Sequence, residues 1–476
     1  MNPWIARGAL AALLCLTPLA SLRSFAAAES APADSVPAPA AGGPAVEAPA
    51  APPGSALTLV AAVQRALQSF PSVSAARAGR DAARAASGEA KSAFFPSLAI
   101  QSDATRFEKP MLVTPIHTFD LVSLPAFNRT IVQSSLAADL TLFDGGARLN
   151  RYRSARETAR AGDASLDATQ QALVTQTVAA YLAVVGDRDL LEAHDRRITA
   201  LGGERDRVQK LLDTGKAARV DLLRVEAELA SAEADRVRTA ASLDDAERQL
   251  GRLTDLDPER TRASFLAPVT LSDTTLTSRD AWVATALEKS PAILAAKRRR
   301  LAAEASRRAA QGARFPEVSA MGAYTDWRDL DGDDALEWTA GLKLSFPIFT
   351  GGAIGQRVAK ARAEADGASA NERLAEIETR HAIDQAYSAV TAARARVTSL
   401  ERAVARYTEV ARIEELQLQA GAGTQTDYLK GEADLLAARA NWIDARNGEI
   451  VARAELARVA GVLDPDWLSS RVETTR

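Results

Sequence analysis

The chain has 476 residues, 25% of them charged, a net charge of −3 and only 5% aromatics. The near-neutral balance gives no reason to expect nucleic acid or an acidic substrate as a partner, and the Ala/Glu/Arg/Leu-rich composition favours long helices over a compact aromatic core. Length alone would suggest about three domains.

Residues 1–28 read as a secretory signal peptide: Arg7 leads an apolar stretch, and Ala26–Ala28 provides an Ala-x-Ala cleavage site. The single cysteine, Cys15, falls inside that segment. Leu14 before it is the wrong residue for lipidation, so the mature chain is expected to be exported, thiol-free and not lipidated. Residues 29–56 are Ala/Pro-rich and read as a disordered tether. No later run is long and apolar enough for a membrane-spanning helix.

The remainder is a duplicated unit. Pro71 and Pro96 return as Pro291 and Pro316, an offset of 220; Gly145 and Gly146 return as Gly351 and Gly352, an offset of 206. Gly215 and Asp221 return as Gly421 and Asp427 at the same 206. The first unit, 57–258, therefore carries 14 extra residues between its strands; the second spans 276–465, with 259–275 as linker and 466–476 as tail. Each unit begins with two short helices (57–69 and 72–93; 277–289 and 292–314). The short basic cluster KRRR at 297–300 is read as a solvated helix face. Alternation of apolar and polar residues then predicts strands at 97–107 and 131–143, and at 317–327 and 337–349. After each Gly-Gly pair a stretch of 67 residues without proline predicts a long helix, 146–212 and 352–418. Each would span about 100 Å. Return helices follow at 219–250 and 425–457, with seven-residue beats Leu222, Leu229, Arg236, Leu243, Leu250 and Tyr428, Leu435, Trp442, Glu449, Leu456.

Amphipathic strands in an exported chain can cross an outer membrane if they close into a barrel. Phe95, Phe143, Phe315 and Phe349 mark one end of the strands, and Trp327 and Trp338 the other, as aromatic girdles would. A soluble hairpin capping a helical bundle is the other reading of the same alternation. Four strands are too few to close, so a barrel would need several chains. The loops at the far ends, 108–130 and the acidic 326–337, would face outside; the latter lacks the first and last ligands of a calcium loop, where Trp327 and Trp338 stand.

The strand–Phe-x-Gly-Gly–long-helix unit, the Gly-x-x-Ser/Thr-x-x-Asp turns and the opening LTLVAAVQRALQSFPSV together resemble the TolC family of outer-membrane efflux proteins over 57–465. The resemblance implies a mainly α protein with membrane β. Four strands per chain would contribute to a 12-stranded β-barrel of a homotrimer, continued by a helical barrel through the periplasm. It implies an outer-membrane location in a Gram-negative cell, contact with membrane lipid, and docking on a periplasmic adaptor and an inner-membrane transporter. The helical tips, with Gly215, Asp221, Gly421 and Thr424, would form the entrance and touch the adaptor, and three copies of Asp427 would ring the constriction. The alternative for Asp427 is a first-turn aspartate favouring the helix dipole. Lys430 stands where well-known members carry a second aspartate, and Leu418 and Gly423 where some carry a latching tyrosine and arginine, so gating is expected to differ.

Nothing points to an enzyme, a cofactor or a metal. His117, His194 and His381 are scattered, and neither glycine pair has the lysine of a phosphate-binding loop. The competing class is a soluble periplasmic coiled-coil adaptor or scaffold, which would share the helices but need no paired strands.

Overall fold

The computed structural model describes residues 57–113, 126–264, 266–272, 275–329 and 334–474. The expected signal peptide and tether (1–56), His117 and the centres of both outer loops lie outside these residues.

The first unit runs α1 (Leu59–Ser69), α2 (Pro71–Ser92), β1 (Ser97–Leu112), β2 (Phe127–Phe143), α3 (Ala147–Asp213) and α4 (Arg219–Thr254), followed by α5 (Pro258–Ala263) and β3 (Val269–Leu271). The second runs α6 (Arg279–Lys289), α7 (Pro291–Gly312), β4 (Glu317–Asp329), β5 (Asp334–Ser345), α8 (Ala353–Gln419) and α9 (Gln425–Ala460), then α10 (Pro465–Arg471) and β6 (Val472–Thr474). Pro71 and Pro291 each occupy the first turn of the second short helix, where proline loses no hydrogen bond. The preceding Phe70 and Ser290 adopt extended dihedrals that break the chain between helices.

The four long strands form one antiparallel sheet in the order β1-β2-β4-β5. Both hairpins share one register: Ser97 pairs Asp139 and Arg106 pairs Thr130, while Glu317 pairs Ser345 and Asp326 pairs Leu336, the same pairs shifted by 220 and 206. Paired residues lie on the same side, so the register sorts the sheet into two faces. One carries Leu98, Ile100, Val132, Leu136, Leu140, Val318, Tyr324, Leu336, Trp338, Leu342 and Leu344, with Arg106, Asp326 and Arg328 only toward the loop end; the other carries Gln101, Asp103, Gln133, Ser135, Asp139, Thr325, Glu337, Thr339 and Lys343. Leu98, Ile100, Leu342, Leu344 and Trp338 are exposed, an arrangement that suits hydrocarbon rather than water.

Three expectations change here. The strand expected to reach residue 349 ends at Ser345, because Pro347 has no N–H for the ladder. The first hairpin instead runs further out, with Met111 opposite Asn128 beyond a register shift after Arg106, and absorbs part of the 14-residue excess. Trp327 and Trp338 do not share a girdle. Trp338 pairs Tyr324 on the apolar face, whereas Trp327 pairs Gln133 and Ala335 on the polar one, because their odd separation across this register places them on opposite sides.

The described residues of the linker and tail pack into the fold. β3 and β6 pair with each other, and Val269, Leu463, Leu468 and Val472 join a core with Leu59, Val63, Val178, Tyr181, Leu250 and Leu253 midway along α3. The Tyr181 hydroxyl lies 2.7 Å from the Leu57 carbonyl oxygen and 2.9 Å from that of Ala267, and burial raises its pKa. Arg188 donates to the Ser264 carbonyl (2.9 Å) and the Glu247 carboxylate (2.7 Å), and Arg65 to the Thr254 carbonyl (2.8 Å). The two charges that interrupt the seven-residue beats are matched locally, Arg236 by Asp195 and the buried Glu449 by Arg453 at 2.8 Å. Replacing Tyr181 with Phe leaves the two carbonyls short of a donor and is expected to cost about 1–3 kcal/mol, measured as a lower denaturation midpoint in detergent.

Candidate functional site

Two places carry the mechanical chemistry of this fold: the strand-to-helix junctions and the helix-hairpin tips at the opposite end. At the first junction Gly145 and Gly146 have φ of 64° and 77°. A Cβ on Gly145 would sit 2.6 Å from the Gly312 carbonyl oxygen and 2.7 Å from the Phe315 Cβ, so the turn needs glycine for space as well as dihedral. The Asp144 carboxylate accepts from the Arg148 amide (2.6 Å). The Arg148 guanidinium donates to the Ala93 carbonyl (3.1 Å) and lies 4.9 Å over the Phe94 ring, which meets Tyr152 edge to face. Asp144, Arg148 and Phe94 escaped the sequence reading, because the second copy has Thr350 and Ile354 at the matching places. Gly351 and Gly352 keep φ of 59° and 84° with nothing within 4 Å of their would-be Cβ atoms. Phe95, Phe143, Phe315 and Phe349 all lie at this end and are exposed.

At the tips, Gly215 (φ 69°) and Gly421 (φ 72°) sit just past the ends of α3 and α8. The Lys216 amide donates to the Leu211 carbonyl (2.7 Å) and the Ala422 amide to that of Gln417 (2.9 Å), so both helices end on the six-residue closure that requires a left-handed glycine. Thr424 caps α9: its hydroxyl accepts from the Asp427 amide (3.2 Å) and donates to the Asp427 carboxylate (2.6 Å). At the other tip Ala218 offers no such acceptor, and only the Asp221 carboxylate reaches back, accepting from the Ala218 amide at 3.3 Å. Asp427 is thus bound into the cap of its own helix while remaining exposed. Gly423 is held glycine by contact, since a Cβ would come within 2.9 Å of Gln417 Cβ; an arginine cannot fit there without moving the turn.

The structure adds residues that no periodicity flagged. Arg224 on α4 donates to the Thr426 hydroxyl (3.0 Å), and Arg207 on α3 to the Gln425 side-chain oxygen (3.2 Å), tying the first hairpin to the second. Glu204 holds Arg207 in a two-pronged pair at 2.6 and 2.7 Å. Beneath them Leu201, Val208, Leu222, Val225 and Leu429 form a small core. Tyr428 is pushed up to about 12, first by burial and then by Glu432, Glu204 and Glu415. One turn away, Gly431 leaves room for the Glu414 carboxylate, whose Oε2 is buried without a hydrogen-bond partner. Burial, Asp427 and Asp434 hold the Glu414 pKa above its ordinary value against Lys430. Among the dispersed histidines, His194 is buried on α3 and His381 meets Gln385 on its own helix.

A sheet with one apolar face and two open edges, passing through glycine turns into two 67-residue helices, defines the protomer of an outer-membrane channel. The profile of the outer membrane efflux protein family matches residues 62–255 and 282–462, and the chain belongs to that family. It is 25% identical over 349 residues to the outer membrane efflux protein BepC of Brucella suis, covering 72% of this chain and 75% of that one. The fold is shared with a membrane protein from Pseudomonas aeruginosa (TM-score 0.72, 21% identity, 85% of this chain and 90% of that one). It is also shared with the outer membrane protein VceC of Vibrio cholerae (TM-score 0.69, 22% identity, 85% and 96%). The protein is accordingly an outer-membrane efflux channel subunit that extends into the periplasm, and its family is one of transport ducts rather than enzymes.

Thr424→Ala removes a side-chain cap and is expected to cost about 1 kcal/mol, whereas Ala218→Thr should gain a similar amount; hydrogen exchange at the two tips separates the cases. Because the Glu414 pKa is raised, its protonated form is favoured by the folded tip. The contact is therefore strongest at and below the ordinary glutamate range, and weakens as the pH rises and the carboxylate ionises beside Asp427 and Asp434. Glu414→Gln should abolish that difference in amide protection between pH 4 and pH 8.

Proposed function

We propose that three copies of this chain form the passive exit duct of a tripartite efflux or secretion system. Their sheets close a 12-stranded barrel, and their tips meet a periplasmic adaptor and an inner-membrane transporter. The observation that carries the reading is the sheet. β1 and β5 are open edges on a surface whose outward residues are apolar over the half nearest the helices, and lipid supplies no partner for backbone N–H and C=O groups. Four strands close nothing, whereas twelve close a barrel. The long helices supply reach, about 100 Å each.

In this reading the entrance is the ring of tips around Gly215 and Gly421. Asp427 would present a carboxylate to the axis from each copy, and such a ring attracts cations. Arg224 and Arg207 take over the latch: each is a cation on the first hairpin bonded to a neutral group on the second, Thr426 or Gln425. Single bonds of this kind, the first exposed and the second half-buried, are weak enough to release when an adaptor docks, on the order of 1 kcal/mol each. The acidic outer loop and the extended first hairpin would face the exterior.

The mature protein should stay with the outer-membrane fraction and require detergent for release; recovery as soluble periplasmic material would exclude the channel. In planar bilayers the Arg224→Ala, Arg207→Ala double variant should open more often and conduct more than the parent. Asp427→Ala should weaken block by divalent cations, and unchanged cation dependence would leave Asp427 as a capping residue only.

A further inference from the structure

The repeat is complete at one boundary inside the chain and missing at another. β2 of the first unit pairs β4 of the second, with Ala137 opposite Ala323, Ser135 opposite Thr325 and Ile131 opposite Asp329. The same relation started from the second unit would pair β5 with a copy of β1, which this chain does not have to offer. Three further observations fall at that boundary. α7 packs on both α3 and α8, whereas α2 packs chiefly on α3. Ala295, Ala302 and Ala305 of α7 are buried, yet their equivalents in α2, Ala75, Ala82 and Ala85, are exposed. Gly145 is crowded by Gly312 and Phe315, while Gly351 keeps the same left-handed dihedral with no neighbour, and Phe95 and Phe349 stand exposed beside the gap.

We infer that the seam between protomers repeats the internal β2–β4 register, placing Lys343 of one protomer directly opposite Asp103 of the next. The shifts that superpose the two hairpins, 220 for first strands and 206 for second strands, carry Ala137 onto Lys343 and Ala323 onto Asp103. The inference rests on the oligomeric reading above and adds its register. The same mapping sets Gly341 against Thr105 and Leu342 against Ala104. Where the internal seam has two neutral alanines, the external one thus has opposite charges. Lys343 and Asp103 both lie on the polar face and are exposed, so their pairing needs no burial of charge in lipid. Cross-strand pairs of opposite charge stabilise a ladder and like charges oppose it, so the pair specifies this register over slipped alternatives. At the junction below, Phe95 of the next protomer takes the place beside Gly351 that Phe315 takes beside Gly145.

Cysteine pairs test the register in the intact protein, whose only other cysteine is Cys15. Asp103→Cys with Lys343→Cys should give a covalent ladder up to the trimer on mild oxidation. Asp103→Cys with Gly341→Cys or Ser345→Cys, each two residues out of register, should give little. A trimer by native mass spectrometry that cross-links preferentially through a shifted pair overturns the register and leaves the oligomer standing. A monomer by the same measurement overturns the oligomer itself. In a second arm, Asp103→Lys and Lys343→Asp should each lower the fraction of oligomer surviving denaturant by about two- to fivefold, the equivalent of one cross-strand charge pair. The double exchange should restore it. Single variants as stable as the parent overturn the ion pair.

Discussion

In hydrocarbon an unpaired backbone N–H or C=O costs several kcal/mol, and β1 and β5 present a whole row of such groups at the two sides of a single sheet. The rest of the molecule can be understood from that deficit. A chain with four strands cannot satisfy its edges alone, and duplication gives both edges the strand geometry already used inside the chain, as the proposed seam between copies requires. The apolar face follows from the same solvent, as does the glycine pair at each junction. A strand leaving lipid and a helix entering the periplasm run in different directions, and only a left-handed residue without a Cβ turns that corner against a neighbouring helix end.

Helices as long as α3 and α8 need support along their length, because propensity alone holds a helix weakly in water. The small alanine-rich contacts of α2 and α7 supply it near the junctions, and the α4 and α9 seams supply it toward the tips. Between them the chain spends its least repetitive segments. The linker and the tail pack against the middle of α3; Tyr181 and Arg188 fasten the linker through backbone carbonyls that a loop would otherwise leave to water, and the tail is held by β6 pairing with β3. This belt is the one region where the two units differ in kind, and it gathers the largest apolar core of the described residues.

Which parts were legible from residue order follows from the range of the interaction concerned. Period-two alternation, proline at a first turn and glycine past a helix end are local, and they located the hairpins, helices and tips. The seven-residue beat was legible even through its charged members, since Arg236 and Glu449 are each neutralised by a neighbour. What stayed hidden depends on contacts between distant segments. Arg224 reaches Thr426 across 202 residues and Arg207 reaches Gln425 across 218, with nothing in either local pattern to announce them. The tail looked like a terminus because its strand is three residues long and has meaning only beside β3. Distance from the loop places Trp327 beside Trp338, but only the register, which residue order does not carry, decides the side.

The first hairpin takes up extra chain beyond Arg106, outside the stretch where its register matches the second hairpin. For a closed barrel, radius and strand tilt are set by strand number and by the accumulated stagger between neighbours, called the shear. Residues added past the last shared pair change neither quantity. In the proposed barrel the outer ends of the hairpins can therefore lengthen, shorten or change charge while the bore keeps a constant diameter.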